Sequence, residues 1–204
     1  MSGLLQICAR LTEILLGISL LVQTAEYFKV RSALGDQGVW AFSLQGRDFR
    51  SSSLIHAIFA WGSGEKVFFW LLVLRVGAIF ILFGVGGSLP LILFLFVSGL
   101  FILMRWRGAF NGGSDFMTMA VMTGCLIAYG IGAVETMELG WKAGLIFIAI
   151  QSATSYFISG GVKLLSPEWR NGRALPIFLD GGVYCPLSVH SPFWFAAVAA
   201  PVSW

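Results

Sequence analysis

Between Tyr156 and Arg173 the chain reads YFISGGVKLLSPEWRNGR, and residue types able to do chemistry crowd together there. Ser152, Ser155, Tyr156, Ser159 and Lys163 recur at steps of three and four residues, which on a helix puts them on one face. A lysine at the end of such a row can supply a point charge, or act as a base if burial depresses its pKa. Ser166-Pro167 then interrupts the helix, because proline brings no N–H and its ring collides with the preceding turn. Trp169, Arg170 and Arg173 follow. Trp169 to Leu179 is predicted to be an interfacial or re-entrant piece.

Charged residues inside apolar stretches form a second group. Arg75 lies near the middle of one, where a charge costs at least about 2.5–3.5 kcal/mol. It therefore needs an internal partner, for which Glu13, Asp115 and Glu135 are candidates. Two readings stay open: an ion pair that fixes helix packing, or an arginine that faces a water-filled cavity. Arg10 and Glu13 are three residues apart, so they share a helix face and can pair there, or both can sit in the headgroup layer. In Asn111-Gly112-Gly113-Ser114-Asp115 the glycines open backbone conformations closed to other residues, and Ser114 or Asp115 is placed to cap the helix that follows. The candidate ligand-binding residues are Arg75, Asn111, Asp115, Tyr156, Ser159, Lys163, Trp169 and Arg173, and Lys163 is the candidate for catalysis. A metal is not among the expected ligands. His56 and His190 are isolated, and Cys8, Cys125 and Cys185 form no C-x-x-C pair.

The elements that must hold these residues follow from composition. The 204 residues are 57% hydrophobic and 11% charged, with mean hydropathy +0.84. A soluble domain carries roughly 25% charged residues. The fold class read from this is all-α, a polytopic transmembrane bundle of about five spanning helices plus short interfacial ones, in one domain over 1–204. The predicted spans are Leu4–Tyr27, Val67–Val85, Leu91–Met104, Phe116–Val134 and Trp141–Leu165, all but the shorter Leu91–Met104 near the roughly 20 apolar residues that cross a hydrocarbon core. Pro90 suits the first turn of the third span. Gly140 and Gly144 are spaced for close helix contact in the fifth, and Glu135 to Trp141 reads as an acidic loop before it. Ser53–Trp61 is too short to span and reads as an interfacial helix. Phe193–Trp204 begins an apolar segment that stops before it could span.

The first apolar run ends in no A-x-A-like site and is read as a retained helix, not a signal peptide. The net charge of +3, without a basic patch interleaved with aromatics, argues against nucleic acid. Lys29, Arg31, Arg47, Arg50, Lys66, Arg105, Arg107, Lys163, Arg170 and Arg173 fall on one side of the predicted topology. The positive-inside rule puts that side in the cytoplasm.

The order of features resembles the HTTM domain, the membrane part of vitamin K-dependent gamma-carboxylase and its bacterial relatives. The matching pieces are Gly35-Asp36-Gln37-Gly38-Val39, Leu74-Arg75-Val76-Gly77 and Asn111-Gly112-Gly113-Ser114-Asp115. They continue with Tyr156-Phe157, Gly160, Lys163-Leu164, Trp169, Gly172 and Ala174-Leu175. DoxX-like four-helix membrane proteins agree in length, but the Asn-Gly-Gly-Ser-Asp stretch favours HTTM.

The resemblance implies a multi-helix membrane bundle. For the carboxylases it also implies a reduced quinone, whose oxygenation yields a strong base that deprotonates a glutamyl side chain before CO₂ adds. Those enzymes carry a second lysine directly after the one matching Lys163, and it activates the quinone. Here Leu164 stands in its place, and leucine cannot take a proton. The expected function is therefore a non-catalytic accessory subunit of a larger membrane complex, multi-pass in a bacterial inner membrane. Its expected partners are the lipid bilayer and other membrane subunits. The alternative is a quinone- or lipid-binding protein with its pocket around Lys163. A carboxylase-type enzyme stands third.

Overall fold

The computed structural model describes residues 2–34, 64–106 and 112–174, with Gly38, Ala41 and Gly62 besides. Six helices account for almost all of the described chain: α1 (Gly3–Leu34), α2 (Glu65–Gly84), α3 (Leu89–Trp106), α4 (Gly112–Val134), α5 (Met137–Leu165) and the one-turn α6 (Pro167–Arg170). The fold is all-α. By length and composition α1, α2, α4 and α5 can each cross a membrane. The 18 residues of α3 reach only about 27 Å at 1.5 Å each, slightly less than a hydrocarbon core of about 30 Å.

Several boundaries differ from expectation for identifiable reasons. α1 runs past Tyr27 to Leu34 because Glu26, Lys29 and Arg31 are compatible with helix and no breaker comes before Gly35. α4 starts at Gly112, so Asp115 does not precede the helix as a cap but belongs to its first turn. The acidic loop shrinks to Glu135 and Thr136, and α5 starts at Met137. There Thr136 caps it: its Oγ1 accepts from Leu139 N at 3.2 Å. Pro90 does fall in the first turn of α3, and Pro167 opens α6 after an extended Ser166. The expected interfacial helix over 53–61, the apolar segment from 193, Cys185 and both histidines lie outside the described residues.

The chain divides into two units, Met1–Ile150 and Gln151–Trp204, with the boundary inside α5. In the first, α1 packs on α2, α2 on α3, α3 on α4 and α4 back on α1. This ring encloses an apolar core that includes Leu16, Leu20, Ile79, Leu82, Ile92, Leu95, Met122 and Cys125. Tyr27, Phe68, Leu72 and Ile102 form a second cluster. The start of α5 lies against α4 as its glycine spacing predicted. A Cβ on Gly140 would meet Ala128 O, and one on Gly144 would meet Gly124 O and Ala128 Cβ. Close approach of this kind is how membrane helices gain dispersion contacts that lipid cannot supply. Trp141, between the two glycines, is buried in the core.

In the second unit α5 continues to Leu165, and Tyr156, Phe157, Ile158, Val162, Leu164 and Leu165 are exposed. Asn171 and Gly172 then turn the chain, Gly172 with φ 69°, a left-handed conformation that suits glycine.

Candidate functional site

The first polar centre gathers around Arg75. It lies midway along α2 in a nearly all-apolar helix, and packing leaves it 0% exposed. None of the three acids proposed for it is a direct hydrogen-bonding partner. Its Nη1 donates to Ser98 Oγ at 2.9 Å and Leu95 O at 3.3 Å, both on α3. Its Nη2 donates to Gln23 Oε1 on α1 at 2.8 Å.

Asp115 is connected at one remove: Gln23 Nε2 donates to Asp115 Oδ1 at 2.6 Å. An amide has one acceptor end and one donor end. Gln23 is therefore the residue type that can face a guanidinium on one side and a carboxylate on the other. Glu13 pairs elsewhere, and Glu135 is exposed. Two buried atoms of the centre, Arg75 Nε and Asp115 Oδ2, have no hydrogen-bond partner among the described residues. In a native interior such atoms usually signal a water, an ion or a guest.

The second centre was only half visible in the sequence. Arg10 and Glu13 do pair, Nη1 to Oε2 at 2.8 Å. The same Nη1 donates to Leu82 O at 2.8 Å, and Nη2 donates to Phe83 O. These carbonyls belong to the last turn of α2, whose final four C=O groups have no partner within their own helix. Arg10 therefore caps a neighbouring helix with a side chain, and its charge suits that negative end of the dipole. Glu13, 4% exposed, also accepts from Gly87 N at 3.0 Å and from Tyr129 OH on α4. The turn between α2 and α3 accommodates this closely. Gly86 has φ 101°, and a Cβ on Gly87 would strike the Tyr129 ring and Glu13 Oε1. Above this centre lies a cleft of about 520 Å³, lined by residues of α1, the 85–87 turn, Tyr129, Met137 and Trp141.

Tyr156, Ser159, Lys163, Trp169 and Arg173 belong to the second unit. Lys163 is exposed on the last turn of α5, with Nζ 4.8 Å from the Trp169 ring centroid. Tyr156, Ser159 and Arg173 are exposed and Trp169 is half-buried. The structure thus brings together Arg75 with Asp115 through Gln23, and Lys163 with Trp169. Asn111 lies outside the described residues.

Comparison with known proteins adds no relative. No family model, curated protein or solved structure matches the chain. The site must be read from its own chemistry.

Sequence reasoning missed Gln23, Ser98 and Tyr129. The signal for each was present, a polar residue inside a long apolar helix, which in a membrane points to an internal partner. Gln23 and Ser98 answer Arg75 with neutral groups, and Tyr129 answers Glu13. Chemically, the Arg75 centre offers a guanidinium Nε–H and a carboxylate oxygen, both buried and without a partner among the described residues. The Arg10 centre offers a neutralised ion pair at the base of an open cleft. Lys163 offers a cation against an aromatic face.

Proposed function

We propose that the chain is a multi-pass protein of a bacterial inner membrane, HTTM-like in kind, that acts as a non-catalytic accessory subunit of a larger membrane complex. The observation that supports this is the uncovered polar row on α5. Ser159 and Lys163 are exposed and Ser152 and Ser155 partly so, on a helix whose other residues there are mostly apolar and open. Polar side chains at membrane depth are stabilised by facing protein or water. A partner helix carrying acceptors would satisfy the row and cover Phe157 and Val162 beside it. Leu164 is consistent with the non-catalytic reading, since it cannot act as an acid or base.

The test is a native pull-down of the full chain in mild detergent, with mass spectrometry of proteins and small molecules. Stoichiometric membrane partners are expected, and Lys163→Ala should lose them while leaving helix content unchanged. A partner-free monomer would defeat the proposal.

A second reading, a protein that binds a quinone- or lipid-type ligand, is favoured by Arg75 Nε and Asp115 Oδ2, which lack partners among the described residues. A guest with an acceptor for the first and a donor for the second would complete the centre. Under this reading a small molecule accompanies the purified protein and is lost in Asp115→Asn, whereas Lys163→Ala retains it.

A further inference from the structure

The cleft above Arg10 belongs to neither reading, and its chemistry is specific enough to define a ligand class. Its base is a charged pair that is neutral as a unit. Arg10 has five N–H groups. Three donate to Glu13, Leu82 O and Phe83 O, and the other two make no hydrogen bond among the described residues. The side chain is 36% exposed, against 5% for Glu13. Both residues line the cleft, but the Glu13 oxygens already accept from Arg10, Gly87 N and Tyr129 OH, which leaves the spare Arg10 donors as the polar feature of the base.

An incoming anion would gain little. Glu13 lies 2.8 Å from the guanidinium, and the carbonyls of a helix C-terminus surround the same group, so attraction to Arg10 is largely cancelled while the anion must still be desolvated. An uncharged acceptor avoids that cost and still satisfies the donors. The rim is open and mostly apolar: Ile7 is 58% exposed and Val85 87%, and Gln6 is its exposed polar side chain. Trp141 and Met137 line the wall. A volume of about 520 Å³ falls in the range of small-molecule sites, roughly 300–1,000 Å³, which combine apolar walls with a few placed polar groups.

We propose that this cleft binds the head of an uncharged amphiphile through a carbonyl oxygen, with Arg10 as donor and the Ile7–Val85 rim against its hydrocarbon chain. Monoolein serves as the probe. Its ether analogue lacks only the carbonyl, and oleate carries the anion instead.

Equilibrium binding of the three labelled lipids to the full chain in detergent tests the proposal. Monoolein should bind saturably and about tenfold more tightly than the ether, the effect of leaving one donor without its acceptor. Arg10→Gln should erase the ester–ether difference. Because Arg10 also caps α2, that variant can fail to fold. Ile7→Trp provides an independent arm: it narrows the mouth of the cleft while keeping both members of the ion pair, and should weaken monoolein binding at an unchanged melting temperature. The proposal is overturned by non-saturable monoolein binding, by equal affinity for ester and ether, by tighter binding of oleate, or by unaltered binding in a folded Ile7→Trp.

Discussion

Arg75 and Lys163 are both cations in long apolar helices, and the protein treats them in opposite ways. Arg75 is wholly enclosed, its guanidinium held by a serine, a backbone carbonyl and a glutamine that passes the interaction on to Asp115. Lys163 is exposed and lies over the face of Trp169. The first charge is resolved within one chain, so its removal should register as lost stability. The second leaves donors available to another molecule, so its removal should register as lost association.

The sharpest way to break this contrast is Arg75→Leu. It leaves Gln23 Oε1 without its donor and the buried Asp115 without the cation that Gln23 links to it, and leaving a buried charge uncompensated costs roughly 3–5 kcal/mol. Unfolding of the purified protein in detergent should show a lower midpoint by that measure. If Arg75→Leu is as stable as wild type, the Arg75 centre is not structural and the comparison collapses.

Next in size is Glu13→Ala, which frees Arg10, Tyr129 and Gly87 at once. Partial exposure of Arg10 screens the loss, so about 2 kcal/mol is expected by the same measurement, and Tyr129→Phe should cost less, about 1 kcal/mol. Gly144→Ala tests packing without charge. The new methyl meets Gly124 O and Ala128 Cβ, and overpacking of this kind costs typically about 1–3 kcal/mol.

Lys163→Ala should change stability by no more than about 0.5–1 kcal/mol, the value of an exposed cation–π contact. A large loss of stability there would erase the distinction between the two cations.

The smallest effect concerns Glu168. Ser166 Oγ donates to its Oε2 at 2.7 Å and holds the carboxyl below the ordinary range. A depressed folded pKa means that the contribution is present above the unfolded value and lost as pH falls through the folded one. Ser166→Ala should move the Glu168 titration upward, as followed by NMR.

The apolar runs foretold the helices well, because each needs only local hydrogen bonds and a lipid-compatible surface. Gly140 and Gly144 hinted at their contact, since small residues one turn apart let helix backbones approach, and the structure does place them against α4. The Arg10–Glu13 pair was visible because it lies within one helix. Its wider role was not, since Leu82 and Phe83 offer only backbone carbonyls and any residue type would have done so. A buried Arg75 implies a partner, and its charge points to an acid, whereas the structure answers it with the neutral Gln23 and Ser98. Gln23 lies 52 positions away on another helix, and one sequence does not show which helices adjoin.

What the chain determines by itself is therefore its class and its expense: apolar helices, with a few charges that must be answered. Which side chain answers which charge was decided only by the closed ring of α1 to α4. Its antiparallel neighbours set Gln23 between Arg75 and Asp115, and set Arg10 under the end of α2. Periodicity records the direction a residue faces on its own helix, and only packing supplies what it meets there.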